Sequence, residues 1–185
     1  MPLLRNGRRA AAVTRLQALD ETVDAWFTRI RRPALDPLFF GLSSAADHGL
    51  LWLAIGSGRA AWRGDPETAL RLAVSMGVES ALTNGPIKLC FRRVRPENDS
   101  LPDEPLPYGM HRPISSSFPS GHAASAFTAA MLLRDSPLAP AYFVLAALVA
   151  TSRVYVKMHH ASDVLVGAAL GIAMGAVARR VLPIT

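Results

Sequence analysis

The sequence predicts an all-α integral-membrane bundle of five transmembrane helices, or six if another span lies between Leu35 and Trp62, with an N-terminal amphipathic helix at the interface. Three observations lead there. Half of the 185 residues are hydrophobic, and mean hydropathy is +0.22. Apolar blocks of helical length recur between short polar turns, and arginines border them as they border membrane spans. No stretch alternates apolar and polar residues with the period of two that a half-buried strand requires. The length fits one domain, residues 1–185.

Net charge is +6 and the pI is near 10.4, but the basic residues are scattered between apolar blocks. With only seven Phe, three Trp and three Tyr, the chain lacks the basic and aromatic patch of a nucleic-acid binder. The lone Cys90 excludes an intramolecular disulfide and reads as a small packing residue. The first thirty residues lack the continuous apolar core of a cleavable signal peptide, so targeting is expected from the spans.

The first thirteen residues, with Arg5, Arg8 and Arg9, read as a disordered basic tail. From Thr14 to Arg31, the residues Leu16, Leu19, Val23, Trp26, Phe27 and Ile30 form one apolar stripe at helical period. Arg15, Asp20, Glu21, Asp24 and Arg29 lie elsewhere on the wheel, too much charge for a span, so this helix is expected to lie in the interface with Trp26 and Phe27 dipping into lipid. Pro33 and Pro37 break the chain, and Leu35 to Ser44 makes a second, shallow helix.

Leu50 to Trp62 is the first span, reaching the usual ~20 residues only if it starts near Leu42. Gly64-Asp65-Pro66 turns the chain into a second span, Glu67 to Phe91, whose Glu79 and Asn84 should face the bundle rather than lipid. Glu97 to Ser117 is a long, proline-rich polar loop. A third helix, Ser120 to Leu133, is rich in alanine, and after the turn Arg134-Asp135-Ser136-Pro137 a fourth runs from Ala139 to Val156. The fifth, Ser162 to Leu182, carries Gly167, Gly171 and Gly175 at four-residue spacing, a stripe suited to close packing inside the monomer.

The chemistry gathers where apolar segments meet polar chain. In Phe118-Pro119-Ser120-Gly121-His122, a helix start with a glycine offers free backbone N–H groups and the positive dipole end, an anion site. His159 and Asp163 stand four apart, so on a helix the carboxylate can take one imidazole proton and leave the other nitrogen as a nucleophile. Lys88 and Arg95 are seven apart, two helical turns, with Arg92 between them, and could bind phosphate from one face. Two histidines, a carboxylate and an anion cradle point to phosphoryl transfer without a metal. His160 reads as supporting or solvent-facing, His48 beside Asp47 as structural, His111 and Arg112 as possible headgroup contacts, and Glu79 and Asn84 as braces.

Taken in order, Lys88-x6-Arg95-Pro96, Pro119-Ser120-Gly121-His122 and Ser152-Arg153-x5-His159-x3-Asp163 resemble the type 2 phosphatidic acid phosphatase family in residue type, spacing and sequence order. The resemblance implies that His159 forms a phosphohistidine, Asp163 orients its ring, and His122 protonates the leaving oxygen and then activates water. It also implies that Lys88, Arg95, Arg153, the Ser120 hydroxyl and the Gly121 N–H hold the phosphate oxygens, with no metal or other cofactor. The implied protein is a multi-pass enzyme of a bacterial plasma membrane acting on a lipid phosphate within the bilayer. Composition and the stretch Ala45-Ala46-Asp47-His48-Gly49-Leu50-Leu51-Trp52 look similar to actinobacterial members, some acting on prenyl-phosphate-linked phosphoribose for the cell wall. Phosphatidic acid, phosphatidylglycerol phosphate and undecaprenyl diphosphate are the alternative substrates. A vanadate-dependent haloperoxidase, which resembles the family at the anion site, is disfavoured by the short, span-rich chain; a silent membrane scaffold, by the complete set of site residues. Five spans would put all three motifs on the side of the arginine-rich N-terminus, the cytoplasmic side by the positive-inside rule.

Overall fold

The computed structural model describes residues 2–96 and 115–182, with side chains from residue 13 onward. Among the described residues every regular element is helical: α1 (Pro2–Ile30), α2 (Asp36–Ala45), α3 (Leu50–Arg63), α4 (Pro66–Leu82), α5 (Gly121–Leu132), α6 (Ala139–Tyr155) and α7 (Ala161–Val181). A 3-10 turn, Asp47–Gly49, links α2 to α3, and a π-helical turn, Thr83–Ile87, follows α4. The ends of α2, α3, α5, α6 and α7 fall within one residue of the expected bounds. Caps explain part of this agreement. Gly64 ends α3 in the left-handed conformation, and Asp65 starts α4 by accepting from the Thr68 N–H, with Pro66 at the first helical position.

Two expectations are corrected. The basic N-terminus is helical from Pro2 rather than a disordered tail, in keeping with its run of alanines, leucines and arginines. The second span does not continue to Phe91. It stops at Leu82 because Gly85 leaves helical geometry (φ −91°, ψ −110°) and Pro86 has no N–H to donate. The polar loop lies outside the described residues up to position 114.

The interior is built from small residues around α5. Ala123, Ala124, Ala126, Ala129 and Ala130 are fully buried, as is Leu132 at the end of α5, and Trp52, Leu72 and Val149 of α3, α4 and α6 belong to the same core. Helix α7 lies against it along the glycine stripe. A Cβ at Gly167 would fall 2.4 Å from the Ser120 carbonyl oxygen, and one at Gly171 would fall 2.2 Å from that of Ala124. Contacts advance together along both chains, so the two helices run parallel, both beginning at the same end of the bundle. Glu79 is buried in α4 and accepts from Thr83 (2.8 Å) and from Ser125 on α5 (2.5 Å), the bracing role expected of it. Asn84 faces Gly121 at the start of α5, although its side chain is exposed.

The exterior reverses the usual pattern. Leu70, Val74 and Val78 of α4, Val144 and Leu148 of α6, and Leu165, Val166, Ile172 and Val177 of α7 all point outward. By length and composition, α7 is the one described helix able to cross a bilayer alone, at 21 residues and mean hydropathy 1.8. The segments Asp36–Ala45 and Asp47–Arg63 qualify as a pair but bend by 59° between them, and α6 is apolar but 17 residues long.

Helix α1 docks across the start of α7 through Asp20, Val23, Asp24 and Phe27, one face at i, i+3, i+4, i+7 spacing. Asp20 is buried, Val23 and Phe27 pack on the α6–α7 corner, and Lys157 bridges to Asp24 (2.5 Å) and to Thr28 (2.7 Å). Leu16, Leu19 and Trp26 of the predicted stripe remain exposed.

Candidate active site

The ends of α4, α5, α6 and α7 converge with the 3-10 turn at one end of the bundle. Helix α6 stops at Tyr155, and Lys157 adopts a left-handed conformation (φ 57°) that folds the chain back. The N–H groups of Met158 and His159 then both reach the Arg153 carbonyl, at 3.0 and 3.1 Å. This places His159, 2% exposed, just before α7 rather than on it.

The His159 ring is held from two sides. Its Nδ1 lies 2.6 Å from the Ser117 carbonyl oxygen and 3.7 Å from Asp163 Oδ2. Only an N–H can face that carbonyl, which assigns the proton to Nδ1 and leaves the Nε2 lone pair available. Asp163 was expected to take one imidazole proton; the nearer acceptor for Nδ1 is the Ser117 backbone carbonyl. Nε2 faces Arg95, whose Nη1 is 3.4 Å away and donates to the Met158 carbonyl at 2.7 Å. Burial depresses the pKa of His159 to about 3, against the pull of Asp163 and with the push of Arg153 and Arg95, so the ring is neutral near pH 7.

Asp163 is wholly buried and has two closer donors than His159. It accepts from Arg93 Nη1 (2.6 Å) and from the His160 N–H (2.9 Å), capping its own helix. His160 is the N-cap residue, with its ring 3.2 Å from the Val94 carbonyl. That is the supporting position foreseen for it.

Lys88 and Arg95 do not share a helix face as expected. The helical turn ends at Leu89, and residues 91–96 run in irregular chain beside residues 115–118. Ser117 donates its N–H to the Arg93 carbonyl (2.9 Å) and its hydroxyl to that of Val94 (3.2 Å). These bonds carry Arg95 to His159, whereas the exposed Arg92 points away from that role. Lys88 donates to Asn84 (3.0 Å) and lies in the field of Arg95, Arg153 and Asp163.

Ser120 caps α5, accepting from the Ala123 N–H, and its own N–H donates to the Asp163 carbonyl at 3.0 Å. That bond fixes the beginnings of α5 and α7 to each other. Gly121 and His122 open the helix, with N–H groups outside the intrahelical ladder. A Cβ at Gly121 would come 2.8 Å from Asn84 Oδ1. Arg153 is 3% exposed; Nη1 donates to Ser43 on α2, and its buried Nε has no hydrogen-bond partner among the described residues. A buried, unsatisfied guanidinium N–H beside a helix N-terminus and two further cations is an arrangement for an anion.

The PAP2 superfamily matches residues 68–184, a stretch containing all three clusters. The chain belongs to the PAP2 superfamily. Decaprenylphosphoryl-5-phosphoribose phosphatase of Mycobacterium tuberculosis is 37% identical over 91 residues, 49% of this chain and 49% of that one. The PAP2 chain thus spans about half the length of that relative. Phosphatidylglycerophosphatase B of Bacillus subtilis is 30% identical over 173 residues, covering 85% of this chain and 80% of the relative. The crystal structure of the transmembrane PAP2 type phosphatidylglycerolphosphate phosphatase from Bacillus subtilis superposes with a TM-score of 0.72. It is 27% identical and covers 93% of this chain and 89% of its own. Aquifex aeolicus LpxE superposes with a TM-score of 0.67 at 26% identity, covering 86% and 93%.

Five residues of this PAP2 site were not foreseen from the sequence: Arg93, Asp20, Asp47, Ser43 and, through its backbone, Ser117. Arg93 bridges Asp163 to Asp20 (2.6 and 2.5 Å), and Asp20 also accepts from the Ser162 N–H (2.8 Å) and hydroxyl (2.7 Å). Burial alone would raise the Asp20 pKa, but bonds from Ser162 and Arg93 outweigh it and hold the carboxyl below its usual range. Asp47 meets His122, Oδ1 to Nε2, at 2.8 Å. Ser43 meets Arg153 from a helix read as shallow. The available signals were an acid on the docking face of α1 and the Asp47-His48 pair at a helix start, neither tied to the motifs by spacing.

Proposed function

We propose that this chain is a membrane phosphatase that releases phosphate from a lipid-linked phosphomonoester or diphosphate through a phosphohistidine on His159. The observation that carries it is the buried His159 ring, with Nδ1 held by Ser117 and Nε2 turned toward Arg95. In the first step the Nε2 lone pair bonds to phosphorus, the bond to the leaving oxygen breaks, and His122 gives that oxygen its proton. Water then attacks phosphorus, His122 takes a proton back, and the P–N bond to His159 breaks. Lys88, Arg95, Arg153, the Ser120 hydroxyl and the Gly121 N–H would balance charge on the phosphate oxygens throughout. Asp163 would offset the positive charge that develops on His159.

The outward apolar faces of α4, α6 and α7 support a multi-pass membrane placement of α3–α7, with α1 along the interface through Leu16, Leu19 and Trp26. A site at one end of such a bundle suits a phosphate carried on an apolar tail. The mycobacterial relatives support a polyprenyl-linked phosphate, such as prenylphosphoryl-phosphoribose, as substrate. The broader likeness to the Bacillus protein supports phosphatidylglycerol phosphate as the second reading. Phosphate release from purified enzyme over a panel of these lipids tests both. Release is expected to be greatest from the prenyl-linked phosphate and to persist in EDTA, since arginine, lysine and helix-end N–H groups take the place of a divalent ion. Loss of all activity on chelation, restored by one added metal, would overturn the metal-free reaction.

The site is proposed to face the cytoplasm. Docking of α1 by Asp20 and Asp24 supports this, since it holds the helix that carries Arg15 and Arg29, with Arg31 and Arg32 just after it, against the active-site end, and arginine-rich segments favour the cytoplasmic side. A cysteine replacing exposed Arg92, in a Cys90→Ser background, is expected to resist a membrane-impermeant thiol reagent in intact cells. Ready labelling would place the site outside.

A further inference from the structure

We infer that Asp47 is the positioning residue for proton transfer at His122, forming with it a second carboxylate–imidazole pair opposite His159 and Asp163. This rests on the phosphatase reading above, and it concerns a residue outside the stretch matched by the superfamily. The 3-10 turn that carries Asp47 is backbone-strained: His48 (φ 53°) and Gly49 (φ 74°) are both left-handed. A left-handed non-glycine residue persists where its surroundings hold it. The turn is packed closely on α4, where a Cβ at Gly49 would come 2.8 Å from Met76 Cε. The turn ends α2 and swings the Asp47 carboxylate onto α5.

Oδ1 of Asp47 lies 2.8 Å from His122 Nε2, with side-chain exposures of 39% and 17%. Among the described residues, the charged groups facing His122 are Asp47, Arg153 and Lys88, on three separate segments. Two are cations, and the start of α5 adds its own positive end. Among the described residues Asp47 is therefore the anion that balances a protonated His122. A carboxylate on Nε2 also fixes the division of labour on the ring. Nε2–H stays with Asp47, and Nδ1 is left as the atom that exchanges a proton with the leaving oxygen and then with water. The Asp47 proton inventory is unchanged through both half-reactions.

The consequence is a dependence on the leaving group. An alkyl phosphate must receive a proton as its P–O bond breaks, whereas p-nitrophenolate leaves without one. Asp47→Asn keeps the shape and removes the charge. Its kcat on the lipid phosphate is expected to fall about 100-fold, the scale of general acid–base assistance, with KM changed less than about threefold. The first-turnover burst of p-nitrophenol from p-nitrophenyl phosphate, which reports phosphorylation of the enzyme alone, is expected to slow by less than about fivefold, and Asp47→Glu to recover part of the lipid activity. Thermal stabilisation by vanadate should be retained in Asp47→Asn, because the anion cradle does not include Asp47. Equal losses on both substrates, no loss on either, or loss of vanadate binding would each overturn the inference. A wild-type protein with no turnover on any phosphate ester would instead overturn the phosphatase reading.

Discussion

Alanine at His159 is expected to abolish turnover, by about three orders of magnitude or more, while alanine at His160 leaves most of it. The adjacent rings occupy different environments. His159 is buried among Ser117, Arg95 and Asp163, with one nitrogen hydrogen-bonded and the other turned to a guanidinium. His160 works mainly through its backbone, whose N–H donates to Asp163, a bond that alanine retains. Its ring contributes one 3.2 Å contact to a carbonyl. Phosphate release assayed on the two purified variants decides the matter. An inactive His160→Ala beside an active His159→Ala would reverse the assignment of the nucleophile.

Replacement of Arg93 by methionine is expected to be the most destabilising of the conservative changes at this end of the bundle. Arg93 holds apart two buried carboxylates, Asp20 at 4% and Asp163 at 0% side-chain exposure. Methionine fills much of the same volume but leaves both carboxylates without their cation. Removing one partner of a buried ion pair typically costs about 3–5 kcal/mol. Thermal unfolding in detergent should show a markedly lower Tm, and turnover should fall because Asp163 loses a 2.6 Å hydrogen bond and α1 loses its anchor. Asp20→Asn added to Arg93→Met should recover part of the stability, since one uncompensated charge disappears. A single variant as stable and active as the wild type would show that the bridge contributes nothing.

Sequence alone carried the helical layout well where local physics decides it. Alanine-rich blocks bounded by Gly64-Asp65-Pro66, Ser120 and Ser136-Pro137 left little freedom in where α4, α5 and α6 begin. The glycine stripe of α7 was legible because small residues at four-residue spacing have few other uses in an apolar helix. The break after Leu82 was not foreseen because hydropathy runs on through Ile87 to Phe91, while Gly85 and Pro86 end the helix by backbone geometry.

The three motifs were legible as chemistry, but the means of bringing them together was not. Helical periodicity was invoked to align Lys88 with Arg95, yet it is pairing of residues 93 and 94 with Ser117 that delivers Arg95. Asp20 looked like a solvated charge on an interfacial helix because its partners, Arg93 and the N–H of Ser162, lie 73 and 142 residues away. Ser117 acts through a backbone carbonyl, which every residue possesses, so no residue type could have announced it.

The central claim is a covalent phosphohistidine on His159, and acid-labile trapping tests it most directly. Enzyme mixed with radiolabelled lipid phosphate and quenched in alkali within the first turnover should carry label that survives base and is released by acid, as a phosphorus–nitrogen bond requires. Peptide mapping should place it on the segment bearing His159, and His122→Ala given radiolabelled p-nitrophenyl phosphate, whose leaving group needs no proton, should accumulate more of it than the wild type because water is not activated. Turnover with no protein-bound phosphate in either enzyme, or label on a different residue, would contradict the account.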